Sequence, residues 1–370
     1  MNSPKPLRLV MHIGPHRTAT TYMQSNFKHH ADPLRQRGWL YPAIGERVGS
    51  AHHDLSDQGS QFVHRKGPRY DDFRRVIDKA DAEGLNVLLS SEGFRKWKPA
   101  HFQAVQEVIG ERKLHLVYAL RDPLDMFYSF WAQKVKTGMV LSLPERMEKH
   151  FPDPMHSHLL NPLVEIEPLV KKTSADLTIL LYDEMRRRKL DIYTVFMETV
   201  LGIGDLLPAE RPSSNERLPI EMTEFIRLLS VENEGFGGRG RLHMGDAVRY
   251  FFSPEEKADI LRVMELAALT ARRVEEISRE SPEFLGVESR LVERLGTYMY
   301  PLPDDGRLFS REPARWVHYD QAELRVVPEV AAVLAKARRK TRSSSPAIVI
   351  ANLTKRLIIQ GRAIRKRFRI

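Results

Sequence analysis

The chain of 370 residues contains no cysteine. That absence excludes a disulfide framework, a thiolate zinc site and a cysteine nucleophile. Long apolar runs are missing too. Nowhere do about 18 apolar residues follow one another, so no spanning helix is expected. The opening residues, MNSPKPLRLVMHIG, lack the apolar region of a secretory signal, and a cytoplasmic protein is the expectation. Acidic residues are absent from one region only. Residues 330–370 hold twelve Lys or Arg and no Asp or Glu, so the +10 of the whole chain becomes −2 over the first 329 residues. The basic character is a property of the tail, and no nucleic-acid partner is expected for the core. With 42% hydrophobic and 29% charged residues, the chain can build a full core as one large α/β domain or two.

The stretch over 7–24, LRLVMHIGPHRTATTYMQ, organises the rest. Leu7, Leu9, Val10, Met11 and Ile13 form a short apolar run of the kind that lies inside a parallel sheet. Gly14 and Pro15 stop it, and His16-Arg17-Thr18-Ala19-Thr20-Thr21 leads into a helix reaching about His30. Strand, turn and helix start present backbone N–H groups and a positive dipole end to an anion. Arg17 adds fixed charge, and Thr18, Thr20 and Thr21 add hydroxyl donors. The phosphate loop of nucleoside triphosphatases, G-x-x-x-x-G-K-[ST], fits poorly here. Laid on Gly14, it places Ala19 at the second Gly and Thr20 at the Lys, while the cation stands three places earlier at Arg17.

This stretch resembles the 5′-phosphosulfate loop of sulfotransferases that use 3′-phosphoadenosine-5′-phosphosulfate (PAPS), whose bacterial members carry something close to H-I-G-x-x-K-x-G-T-T. The sequence departs from that pattern at Arg17 for Lys and at Ala19 for Gly. Arg keeps the charge and forks onto a sulfonate or phosphate. Ala is tolerated where the backbone is helical, but not where φ is positive. A second signature lies at Arg121-Asp122-Pro123, directly after the strong strand candidate LHLVYAL. In this family an Arg at a strand end and a Ser eight residues on, within a helix, hold the 3′-phosphate. Arg121 and Ser129 stand at that spacing. On the residues alone, Arg-Asp-Pro also fits an Arg–Asp ion pair at a helix start.

Strands are expected near 7–13, 39–41, 86–90, 114–120 and 177–182, with helices between them, giving an α/β fold with a central parallel sheet in a three-layer sandwich. The resemblance implies that this is the P-loop-NTPase-like sulfotransferase fold. The strand LNVLLS ends in Ser90-Ser91-Glu92. Ligands lie beyond the carboxyl ends of open parallel sheets, so Glu92 falls on the rim of the phosphate loop. With its pKa raised by partial burial it would serve as general base, His16 or His52 standing behind it; otherwise it caps a helix or pairs with a cation. Residues 43–68 read as a long loop. Its His52-His53 pair shapes a substrate pocket, binds metal or lies exposed.

Residues 208–219, with Arg211, Ser213, Ser214, Asn215 and Arg217, loosely resemble the family's late nucleotide loop. The Gly-rich stretch 235–241 reads as a lid or a linker, and Ser253 caps a long helix from Pro254. Residues 298–318 read as irregular. The expected organisation is a catalytic domain over 1–310, an irregular linker over 311–345 and a basic tail over 346–370. In that tail Ile350, Leu353, Leu357, Gly361, Ile364 and Phe368 recur at steps of three and four among Lys and Arg, a pattern suited to an anionic membrane surface or a partner-protein helix, and less to a nucleic-acid tail.

The resemblance implies a PAPS-dependent sulfotransferase acting on a hydroxyl or amine, with a carbohydrate or glycolipid as the expected acceptor. Glu92, Arg17 and His16 are the candidate catalytic residues. Arg17, Thr18, Ala19, Thr20, Thr21, Arg121 and Ser129 are the candidate PAPS contacts, and His52 and His53 the candidate substrate contacts. No metal is expected, because a Walker-type Lys–Thr pair and a carboxylate cage are both lacking. The alternatives are a nucleoside or sugar kinase using ATP and magnesium, and an inactive membrane-associated adaptor of the same fold.

Overall fold

Apolar residues run without alternation through β1 (Arg8–His12): Leu9, Val10 and Met11 are all fully buried. Such a strand needs cover on both faces, which parallel sheets with crossover helices supply. In the computed structural model, which describes residues 6–44, 50–209, 218–233 and 243–343, β1 lies between two parallel neighbours. The strands that follow are β2 (Trp39–Leu40), β3 (Asn86–Ser90), β4 (Lys113–Leu120), β5 (Asp176–Leu181), β6 (Arg272–Ile277), β7 (Met299–Tyr300) and β8 (Ala314–Tyr319). Six of them form one parallel sheet in the order β2-β3-β1-β4-β5-β7. The two edge strands are only two residues long, which limits pairing with other chains. His12 lies level with Ser90 on one side and Val117 on the other, so β1, β3 and β4 bring their carboxyl ends to one rim.

The chain divides into two compact units. The first comprises Met1–Met126, Asp153–Asn215 and Arg279–Arg311 and contains the whole parallel sheet. One sheet face, with Leu9, Met11, Val87, Leu89 and Leu116, packs against helices Pro68–Ala82, Pro99–Ile109, Leu163–Lys172 and Pro282–Leu295. The other, with Val10, Leu88, Val117 and Leu180, packs against α1 (Thr20–His29) and the segment around Tyr193 and Phe196. Helices on both faces of the sheet make three layers. Phe27 anchors α1, its ring 5.0 Å from that of Phe196 and 5.6 Å from that of Tyr193. Burial of one such ring contributes about 2–3 kcal/mol.

The second unit comprises Phe127–Pro152, Glu216–Ser278 and Glu312–Ile370. The helix Pro123–Lys136 (α2) begins in the first unit and ends in this one. β6 and β8 pair antiparallel from Arg272↔Tyr319 to Ile277↔Ala314. Trp316 of β8 stacks on Phe127 at 5.4 Å and on Tyr128 at 5.7 Å. Arg227 and Glu224, both fully buried, pair at 2.6 Å, and Arg227 also donates to Gln321 at 2.9 Å. Among the described residues no helix is long and apolar enough to cross a membrane.

As expected, Ser253 caps a long helix that starts at Pro254 and runs to Ala271. Two expectations are corrected. Residues 298–318 are not uniformly irregular, because β7 and most of β8 lie in them. The linker expected over 311–345 instead holds all of β8, helix Gln321–Val326 and helix Pro328–Ser343, which buries Val330, Leu334 and Ala337. Residues 1–310 contribute to both compact units. Residues 210–217, 234–242 and 344–370, which carry the late nucleotide loop, the Gly-rich stretch and the tail of the sequence reading, lie outside the described residues.

Candidate anion-binding site at the carboxyl rim of the sheet

The loop after β1 is tied to both neighbouring strands. Ile13 donates its N–H to Val117 (2.9 Å), Ala119 donates to the Gly14 carbonyl (2.9 Å), and Ser91 donates to the His12 carbonyl (3.1 Å). Gly14 has φ +102°, and a Cβ there would lie 3.3 Å from the Glu92 Cα, so backbone conformation and close approach both call for glycine. Two residues with side chains also take positive φ, Arg17 at 73° and Ala19 at 57°. Left-handed backbone costs an L-residue about 1–2 kcal/mol. Ala19 is the N-cap of α1 and supplies no capping side chain, and the first turn carries no acidic residue. The first-turn N–H groups have no intrahelical acceptor, and the positive dipole end lacks local compensation from α1 itself.

Arg121 stands at the end of β4 and donates from Nη1 to the Arg17 carbonyl at 3.0 Å. Its guanidinium lies over the Tyr182 ring, 5.7 Å from the centroid, and its Nε is buried without a hydrogen-bond partner. Asp122 does not pair with Arg121. It caps α2 by accepting the N–H groups of Leu124 (2.9 Å) and Asp125 (3.2 Å), and its other oxygen accepts Arg279 Nε at 2.8 Å.

Glu92 begins the short turn after β3, and Ser91 caps that turn by accepting the Gly93 N–H at 3.1 Å. The carboxylate is buried. Oε1 accepts the Thr20 hydroxyl, and Oε2 accepts Gln24 Nε2 at 3.1 Å. His16 Nδ1 stands 3.9 Å from Oε1 and His53 Nε2 stands 3.7 Å from Oε2. The two imidazoles are 36% and 39% exposed, against 8% for the carboxylate, so solvent meets the rings first. Burial alone would push the Glu92 carboxyl up. The Thr20 hydrogen bond, the His16 charge and the Gln24 hydrogen bond outweigh it, and the net shift is downward. The raised pKa expected for a general base is therefore reversed, and Glu92 stays ionised.

The rim thus gathers Arg17, Ala19, Thr20, Glu92, His16, His53 and Arg121. The three threonines split in their roles. The Thr18 hydroxyl donates back to the Pro15 carbonyl at 2.9 Å and the Thr20 hydroxyl donates to Glu92, whereas Thr21 is exposed. His52 is corrected. It is fully buried, it accepts the Ser90 N–H at Nδ1 (3.0 Å), and its Nε2 lies 2.9 Å from the Pro42 carbonyl, so it supports the strand end from within. Ser129 is buried on α2 in the second unit.

Several partners escaped the sequence reading. Gln24 stands one helical turn beyond Thr20 on α1, a spacing that could have flagged it. His12 Nδ1 lies 2.8 Å from the Ser90 hydroxyl, and burial lowers its pKa to about 4, so the ring is neutral beneath the loop. Tyr182 and Arg279 carried no sequence signal, because their contacts cross 61 and 157 positions of chain. The chain matches no protein-family model and no curated protein.

Proposed function

We propose that the chain is a sulfotransferase that moves a sulfonate group from PAPS to an acceptor hydroxyl or amine. The observation that carries this reading is the gathering of Arg17, Arg121 and Glu92 at the carboxyl ends of three adjacent parallel strands, where open α/β sheets bind ligands. The fit to a phosphorylated donor rests on two features. The α1 start has no capping side chain, and the buried Arg121 Nε lacks an acceptor that a phosphate oxygen would supply.

In this mechanism the acceptor oxygen or nitrogen bonds to sulfur as the bond from sulfur to the 5′-phosphate oxygen breaks in line. Arg17 and the first-turn N–H groups of α1 stabilise the charge that grows on the departing phosphate. The acceptor's proton passes to the group formed by Glu92 and its flanking imidazoles, His16 and His53. Ionised Glu92 stabilises a protonated ring beside it. Thr21 offers its exposed hydroxyl to the 5′-phosphate, and Arg121 takes the second phosphate. A carbohydrate or glycolipid acceptor suits a peripheral enzyme at the inner membrane face, a placement supported by the basic, apolar-striped sequence over 346–370.

Calorimetric titration with adenosine 3′,5′-bisphosphate, with ATP and magnesium alongside, tests the reading. Binding of the bisphosphate that weakens about 100-fold in Arg121→Ala is expected, the loss of two charge-assisted hydrogen bonds. Binding of ATP alone would turn the reading to a kinase. Binding of neither would leave an inactive adaptor.

A further inference from the structure

A run of cations, Arg186-Arg187-Arg188-Lys189, follows β5, and the structure divides it. Arg187 and Arg188 both close on the buried Glu184, Arg187 Nε at 2.8 Å. Arg186 makes no ion pair among the described residues. It is exposed, and its guanidinium lies 5.9 Å from the centroid of the Tyr182 ring, one helical turn back. The same ring carries Arg121 at 5.7 Å. Two guanidinium groups therefore share one aromatic ring at the carboxyl rim.

Like charges held together repel unless an anion joins them. The nearby carboxylate is Asp183, which is already engaged: its Oδ2 accepts the Asp122 N–H at 2.6 Å. Burial pushes its carboxyl up against the opposing pull of the Arg121 and Arg186 charges, which it faces together. Arg121 meanwhile has an Nε that is buried and unpartnered. A phosphate oxygen at the rim would supply the acceptor that this Nε lacks.

We propose that Arg186 is the second arm of an anion clamp headed by Arg121, both guanidiniums resting against the Tyr182 ring, and that this clamp holds the second phosphate of a nucleoside bisphosphate. The inference rests on the sulfotransferase reading and assigns to it a residue that selects the doubly phosphorylated nucleotide. Arg186 is a binding residue for that phosphate and takes no part in proton transfer. The ring positions both cations by cation–π attraction.

The test compares adenosine 3′,5′-bisphosphate with adenosine 5′-monophosphate by calorimetry at fixed low salt, on the full chain. Arg186→Ala is expected to weaken the bisphosphate about tenfold and to leave the monophosphate within about twofold. Tyr182→Phe keeps the ring and is expected to behave as the parent, whereas Tyr182→Leu is expected to follow Arg186→Ala. If the parent prefers the bisphosphate and Arg186→Ala keeps that preference, the clamp is wrong and the sulfotransferase reading stands. If Arg186→Ala weakens both nucleotides equally, Arg186 is a general steering charge and the assignment is overturned. If the parent shows no preference for the bisphosphate, both fall together.

Discussion

Glu92 and Asp122 sit at the ends of two neighbouring routes out of the same sheet, and both are buried, yet burial leaves them in opposite states. Glu92 is held below its ordinary range, while Asp122 is pushed up to about 6 from 3.8. Desolvation is the largest influence on each. What separates them is the company they keep. The Glu92 carboxylate takes a hydroxyl, an amide and two imidazole edges. Asp122 gains from Arg279 and two backbone N–H groups, but it shares Arg279 with the carboxylate of Asp125, at 2.6 Å from Arg279 Nη2. A shared cation neutralises less of each partner, so desolvation prevails. Glu92 is built for charge, Asp122 for structure: it caps α2 and ties down the segment that re-enters the unit at Arg279.

The largest effect that would sharpen this contrast is on folding stability. Asp122→Ala removes a helix cap and takes from the buried Arg279 its buried carboxylate partner, leaving the half-exposed Asp125 in place. It is expected to cost about 3–5 kcal/mol, as broken buried pairs do. Glu92→Gln keeps the shape and one acceptor oxygen, and is expected to cost about 1–3 kcal/mol. Urea unfolding of both variants at pH 7 makes the measurement. Equal losses would show that the two carboxylates are equally structural and would break the comparison.

A smaller effect separates them by pH. The folded Asp122 binds its proton more tightly than the unfolded chain does, so its share of stability is greatest below pH 4 and declines as pH rises through 6. Glu92 runs the other way: its contribution is present above 4.5 and is lost as pH falls below that value. Subtracting the Asp122→Asn unfolding free energy from that of the parent isolates the first group. This difference is expected to fall by about 2–3 kcal/mol between pH 4 and pH 6.5. A difference that rises over that window would mean that Arg279 outweighs desolvation.

The same contrast explains how much of the molecule was legible in the sequence. The four longer strands of the sheet announce themselves as apolar runs, and Glu92 and Arg121 were found because a strand end is a place that sequence marks. Which partner each would take was not marked. Arg279 reaches Asp122 from 157 positions away, and His53 reaches Ser91 at 2.9 Å across a loop read only as polar. β6 was missed because RRVEEI is exposed along most of its length and shows no apolar alternation. β8, ARWVHY, does alternate toward Trp316, but it lies beside a Pro-rich stretch that reads as a break. The tie of Thr20 to Glu92 was hidden for another reason: a hydroxyl beside a phosphate-type loop reads as a ligand donor, and nothing in one sequence says that it turns inward.

The smallest effect tests the α1 cap beside Glu92. Ala19 precedes the residue that holds Glu92, and it does so at φ 57°, where glycine is the residue free of strain. Ala19→Gly removes a left-handed penalty of about 1–2 kcal/mol and adds about 0.4–1 kcal/mol of unfolded-chain entropy. The balance is a gain of up to about 1.6 kcal/mol, read as a rise in urea midpoint at unchanged slope. Because the strain is local to the α1 cap, the pH window assigned to Asp122 is expected to stay where it is in this variant. A loss of stability in Ala19→Gly would mean that the alanine methyl packs usefully against the loop, and that positive φ at this position is tolerated rather than strained. Such a result would place the loop's rigidity in its contacts with β3 and β4, and Glu92 would then owe its geometry to those strands more than to Thr20.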